Sequence, residues 1–191
     1  MSKDLFFNPN LANPVPNEIS TEISHCLSKG YLLSNSIFEQ TNFKSLKRSH
    51  SLPWIRRDAI DFVFEKSNSL TVNTTPVYGA VKPLIISYNN FVFSHHHNSV
   101  GKSNYRKNLI EKHNNTNSLI GNNDYFSIVH CGKFSLESIN FILEFQDGKI
   151  IEFPVDIENK IESNIQEEIK DLTDQYLQKK DTSNLLKNQL G

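Results

Sequence analysis

INFILEFQDGKIIEFPV, residues 139–155, is the stretch whose reading decides the fold class. Ile139, Phe141, Leu143 and Phe145 alternate with Asn140, Ile142, Glu144 and Gln146, and Ile151, Phe153 and Val155 resume the alternation beyond Asp147-Gly148. That period of two belongs to strands with one buried face. A two-residue Asp-Gly loop would set Leu143 against Glu152 and mix apolar with charged side chains on one face. A loop of Gln146, Asp147 and Gly148, with Gly148 in the left-handed conformation, instead pairs Leu143 with Ile151, Phe141 with Phe153 and Ile139 with Val155. The second register is expected. Each apolar side chain buried on that face contributes about 1.5–3 kcal/mol. An isolated hairpin is marginal in water, so its apolar face requires further strands or helices.

Working outward, Leu84–Tyr88 and Phe91–His95 form a second hairpin about Asn89-Asn90, residues that tolerate the positive φ of a tight turn. This pairs Tyr88 with Phe91, Ile86 with Phe93 and Leu84 with His95. Further strands are expected over 70–77 and 125–131. Asn17–Lys29 reads as a helix with Ile19, Ile23 and Leu27 on one side and Gly30 as its stop. Pro53 opens a helix to about Lys66, with Ile55, Ala59, Ile60, Phe62 and Val63 inward. A short basic helix runs from Ser103 to His113. The last helix spans 158–178, where Ile157, Ile161, Ile165, Ile169, Leu172 and Tyr176 make a stripe among acidic residues.

These elements predict an α+β fold: an antiparallel sheet of about five to seven strands, packed by two or three helices, with a long C-terminal amphipathic helix. The expected organisation is an extended arm over 1–16, a core domain over 17–156, and the C-terminal helix and tail over 157–191.

The 191 residues carry a formal net charge of -1, so no global field points to nucleic acid or membrane. The charge is uneven. Through His113 there are 13 Lys and Arg against 8 Asp and Glu, and the balance reverses beyond it. Cys26 and Cys131 are too few for a disulfide scaffold. The opening MSKDLFFNPN lacks the layout of a signal peptide, and no run approaches the roughly 18 apolar residues of a membrane span. A cytoplasmic location is expected.

Three clusters of residues are candidates for function. The first serves protein partners or self-association: Phe6 and Phe7 on the arm, and Ile161, Ile165, Ile169, Leu172 and Tyr176 on the last helix, whose stripe either packs within the chain or docks in a partner's groove. The second is basic with an interleaved aromatic, Lys47, Arg48, Trp54, Arg56 and Arg57 within 44–57; such a set holds phosphate and stacks a base.

The third is Ser94-His95-His96-His97. On a strand, His95 and His97 share a face, as two imidazoles on one metal must. His113, Asp124, His130 and Cys131 are the available third ligands, and His95, His97 and His113 are taken as the set. Zinc or another divalent cation there would lower the pKa of bound water to about 7. Lys102, Arg106 and Lys107 would hold a phosphodiester. Gly101-Lys102-Ser103 is no phosphate-binding loop, because its first glycine is replaced by His96. The chain is therefore expected to be a non-enzymatic interaction or assembly protein, of the virion, secretion or defence accessory type and without a cofactor. The alternative is a metal-dependent hydrolase or nuclease built on His95 and His97.

Overall fold

The computed structural model describes residues 13–40, 51–74, 84–99, 104–114, 124–157 and 165–189. Its elements are helices α1 (Asn17–Gln40) and α2 (Leu52–Lys66), strands β1 (Thr71–Thr74), β2 (Leu84–Tyr88) and β3 (Phe91–His97), helix α3 (Asn104–His113), strands β4 (Asp124–Cys131), β5 (Ser138–Glu144) and β6 (Ile150–Val155), and helix α4 (Ile165–Gln189). The fold is α+β. No helix among the described residues is long and apolar enough to cross a membrane. The chain forms two compact units, Met1–Ser24 with Ser67–Glu158, and His25–Lys66 with Asn159–Gly191.

In the sheet unit the strands stand in chain order, β1 to β6, in one six-stranded sheet. The β5–β6 register is the expected one: Leu143 faces Ile151, Phe141 faces Phe153 and Ile139 faces Val155. Gly148 takes φ 84° and its N–H bonds to the Phe145 carbonyl at 2.9 Å, which is the left-handed position that the three-residue loop requires. In the β2–β3 hairpin Tyr88 faces Phe91 and Ile86 faces Phe93, again as expected. Of the two turn asparagines only Asn89 has a positive φ, 47°. Leu84 faces Thr74 across β1.

One pairing departs from the expectation. β3 and β4 are parallel, with His97 beside His130 and Phe93 beside Phe126. The reason lies in the connection: a tight turn reverses the chain, whereas a crossover through a helix, here α3, returns it in the same direction. The sheet is therefore mixed, with its other neighbours antiparallel.

The registers sort the side chains onto two faces. One carries Ile86, Phe93, Phe126, Ile128, Phe141 and Phe153, all buried. Phe93 lies 5.9 Å from Phe126 and 5.7 Å from Phe141 between ring centroids, within the range in which aromatic pairs attract beyond their area burial. Glu18 and Glu22 of α1 accept hydrogen bonds from Tyr88 and Ser67, and so tie the start of that helix to the sheet unit.

In the helical unit α1 does not stop at Gly30 but runs to Gln40. Its buried positions, Cys26, Leu27, Tyr31, Leu33 and Ile37, continue the helical spacing of Ile19 and Ile23. Gly30 is buried because α2 passes so close that an added Cβ would stand 2.5 Å from Ile60 Cγ1 and 2.8 Å from Ile60 Cα. Its function is close approach, not termination. α4 begins at Ile165, with Ile157 before it in irregular chain and Ile161 outside the described residues. Ile169, Thr173 and Tyr176 of α4 are buried in this unit. Thr173 Oγ1 bonds Ser36 Oγ at 3.0 Å, and Tyr176 meets Phe62 edge-on at 5.5 Å.

Candidate functional site

The alternation of β3 divides the Ser94–His97 run between the two faces. Ser94 and His96 point to the α3 side; His95 and His97 continue the Phe93 face. Because β4 runs parallel, its His130 arrives beside His97 on that same face. His95 Nδ1 and His130 Nε2 stand 3.3 Å apart. The rings of His95 and His97 each lie 5.5 Å from that of His130. His130 is buried, His95 half-buried and His97 exposed, so the cluster opens to water on the His97 side.

Backbone geometry fixes this end of the sheet. The Asn98 N–H donates to the His130 carbonyl at 2.9 Å, Asn98 itself having φ 64°, and the Glu137 N–H donates to the Cys131 carbonyl at 2.8 Å. His97 Nε2 lies 3.1 Å from the Gly132 carbonyl. A carbonyl only accepts, so Nε2 carries the hydrogen, and Nδ1 of the neutral ring is the acceptor.

On the opposite face a polar chain connects α3 to the sheet. Ser94 Oγ bonds His96 Nε2 at 2.9 Å and the Tyr125 hydroxyl at 2.7 Å. Ser127 donates to that hydroxyl and accepts from Arg106 Nε at 3.1 Å, and Arg106 Nη2 pairs with Glu144 Oε2 at 2.5 Å. Asn114, buried after the end of α3, takes the Tyr125 N–H and donates to the carbonyls of Tyr125 and Glu144. Burial pushes the Tyr125 phenol pKa up, against the lowering effect of its serine partners. This network anchors the crossover helix: each buried polar atom named here has a partner.

The chain matches no family model, no curated protein and no solved structure.

The predicted residues are placed as follows. His95 and His97 lie on one face of β3, and the ring of each stands 5.5 Å from that of His130. His113 lies at the end of α3 and does not complete a metal shell, since among the described residues no three His, Cys, Asp or Glu surround a common centre. The strand–helix–strand order was the available signal for His130, because it implies a parallel β4. Arg106 is committed to Glu144 and Ser127, so it is no phosphate ligand; Lys107 is exposed beside Glu111, and Lys102 lies outside the described residues.

In the basic cluster Arg56 is corrected too. It is buried, with its guanidinium 4.8 Å from the Tyr31 ring centroid, and burial lowers its pKa. Such a side chain holds α1 to α2 and cannot reach a phosphate in solvent. Arg57 is half-buried, while Lys47 and Arg48 lie outside the described residues. Trp54, by contrast, is 63% exposed on the first turn of α2. Of the partner-binding set, Ile169 and Tyr176 are buried in the helical unit, Tyr176 against Phe62, and Ile165 and Leu172 are half-buried. Phe6, Phe7 and Ile161 lie outside the described residues.

Proposed function

We propose that this chain is a non-enzymatic interaction or assembly protein that binds a protein partner, and that Trp54 is the anchor of the contact. The observation that carries this reading is the exposure of that side chain. Tyr31, Ile60 and Phe64 of the helical unit are buried, yet Trp54 leaves 63% of its surface in water. Tryptophan is enriched among the residues that dominate binding energy, because one rigid ring covers a large area at little entropic cost. Covering what is exposed would remove on the order of 150 Å² from water. At about 25 cal/mol per Å² that is close to 4 kcal/mol before the costs of association. Cys26 and Cys131 are both free thiols, which supports action in a reducing, cytoplasmic compartment.

Trp54 is the single tryptophan of the sequence, so its emission reports on this position alone. The isolated chain is expected to emit as a water-exposed indole, shifting to the blue when its partner, or a second copy at high concentration, covers the ring. Trp54→Ala is expected to leave the denaturation midpoint unchanged and to weaken capture of the partner by about 2–4 kcal/mol. A variant that keeps full partner capture and full self-association contradicts the proposal.

A further inference from the structure

We infer that Glu152 and Pro154 close the β6 edge of the sheet to strand addition by a second copy of this chain. The inference is independent of Trp54. Among the described residues β6 pairs with β5 and with no other strand. Directly opposed residues of an antiparallel ladder alternate between pairs that exchange both backbone hydrogen bonds and pairs that exchange none. The Phe145 N–H donates to the Lys149 carbonyl at 2.8 Å, one step beyond the Glu144–Ile150 pair. The bonded pairs are therefore Leu143 with Ile151, Phe141 with Phe153 and Ile139 with Val155. The N–H groups of Ile150 and Glu152 and the carbonyls of Ile150, Glu152 and Pro154 point the other way, to the outer edge. An edge of this kind is a template for another strand.

Pro154 faces Asn140 in a pair that exchanges no bonds, so its missing N–H takes nothing from the β5–β6 ladder. What it removes is a donor at the outer edge. A two-fold antiparallel pairing centred on Glu152 would set that carboxylate against its own copy, and like charges directly opposed are destabilising. The same register sets Pro154 against Ile150, whose carbonyl then meets no donor. Moving the centre to Phe153 sets Glu152 against Pro154 and leaves the Glu152 carbonyl without a donor. Moving it to Ile151 sets Glu152 against Ile150 and carries Pro154 past the strand end to Gly148, which lies in the turn with φ 84°. That pairing spans only Ile150 and Glu152. Both Glu152 and Pro154 are exposed, and the buried face belongs to Ile151 and Phe153, so the two edge residues are not required by the core. At the other end of the sheet β1 has four residues, and a short edge strand limits such pairing in a second way.

Hydrogen exchange of the full-length chain, followed by NMR, tests the wild type directly. The Ile151 and Phe153 amides, bonded to β5, should be protected, and the Ile150 and Glu152 amides should exchange at unprotected rates at every protein concentration. Protection of the latter two overturns the inference, because the edge would then be covered by something else. The complementary test combines Glu152→Thr with Pro154→Val in a Trp54→Ala background, so that contacts through that ring are absent. Both substitutions favour a strand, remove the charge and restore the donor. Sedimentation velocity should show the mass doubling or more as concentration rises, with new protection of the Ile150 amide. Circular dichroism checks the fold, and Pro154→Val alone, at an exposed position, decides the matter if the combined variant is misfolded. A folded variant that sediments as its Trp54→Ala parent does, with the Ile150 amide still exchanging freely, overturns the inference.

Discussion

Replacing Gly30 by alanine sets two known effects of opposite sign against each other. In a solvent-facing helix interior the change stabilises by about 0.8–1 kcal/mol, because alanine loses less backbone freedom on folding. At Gly30 the new methyl would stand 2.5 Å from Ile60 Cγ1, 2.8 Å from Ile60 Cα and 3.2 Å from Ile60 Cβ. Ordinary carbon contacts are about 3.5–4.0 Å, so the shortfall is about 1 Å. Ile60 is fully buried, and one of the atoms met is backbone, so relief requires α2 itself to move away from α1. Overpacking typically costs about 1–3 kcal/mol, and the involvement of backbone places this site at the upper end. The clash therefore wins, by about 2 kcal/mol. For a chain of this size that corresponds to a fall in Tm of about 4–8 °C.

Urea denaturation of wild type and Gly30→Ala, followed by far-ultraviolet circular dichroism, measures the difference directly. Combining Gly30→Ala with Ile60→Ala removes the Cγ1 atom that the methyl meets, so the two losses should sum to less than their separate values. An alanine variant equal to wild type, or more stable by the amount expected of an exposed glycine, would refute the close crossing of α1 and α2. Gly30 would then be an ordinary helix position.

Two further expectations concern the sheet unit. The Arg106–Glu144 pair has side chains only 12% and 18% exposed, so Glu144→Ala should cost about 3 kcal/mol by stranding the guanidinium. Joint replacement by Met and Leu should cost far less, and urea midpoints for the three variants separate a stranded charge from lost packing. Tyr125 gives a pH dependence: burial raises its folded pKa above the unfolded value of about 10, so the folded state holds the phenol proton more tightly. Its contribution is therefore complete below about pH 10 and is lost as pH rises through the folded pKa. Stability should fall as pH rises above about 10, less steeply in Tyr125→Phe. Some slope persists there, because burial raises Tyr176 as well. An unchanged slope in that variant counts against the buried phenol.

Elements whose pattern and punctuation lie close together in sequence were legible. The 139–155 hairpin could be placed to the residue because the loop and the apolar alternation admit one consistent register. The helix at 52–66 showed its apolar face and its proline start. Gly30 misled because a glycine has two meanings in a helix, an end or a close crossing, and only Ile60, thirty positions away, distinguishes them. Arg56 misled for a similar reason: a basic residue beside Trp54 reads as surface until Tyr31 is found beneath it. Of the stripe ending at Tyr176, Ile169 and Tyr176 are buried, but periodicity points to a buried face without naming what buries it.

The histidine cluster shows the same limit from the other side. Alternation alone places His95 and His97 on one face, and that part of the site needs no knowledge of the fold. The third member depends on the direction of β4, which no local turn sets. An antiparallel β4 would have reversed which of its residues lie beside the end of β3. Parallel pairing through α3 places His130 there instead, and gives Tyr125 and Ser127 to the other face, where they meet Ser94 and Arg106. One crossover thus produces both the imidazole cluster and the polar network that anchors α3. A slip of one residue in the β3–β4 register would exchange the faces, burying Arg106's partners among phenylalanines and dispersing the histidines. Disturbing the anchor is therefore expected to disturb the cluster: Glu144→Ala, in which α3 loses its ion pair, should also shift the imidazole NMR resonances of His95, His97 and His130, and unchanged resonances would refute the coupling of the two faces.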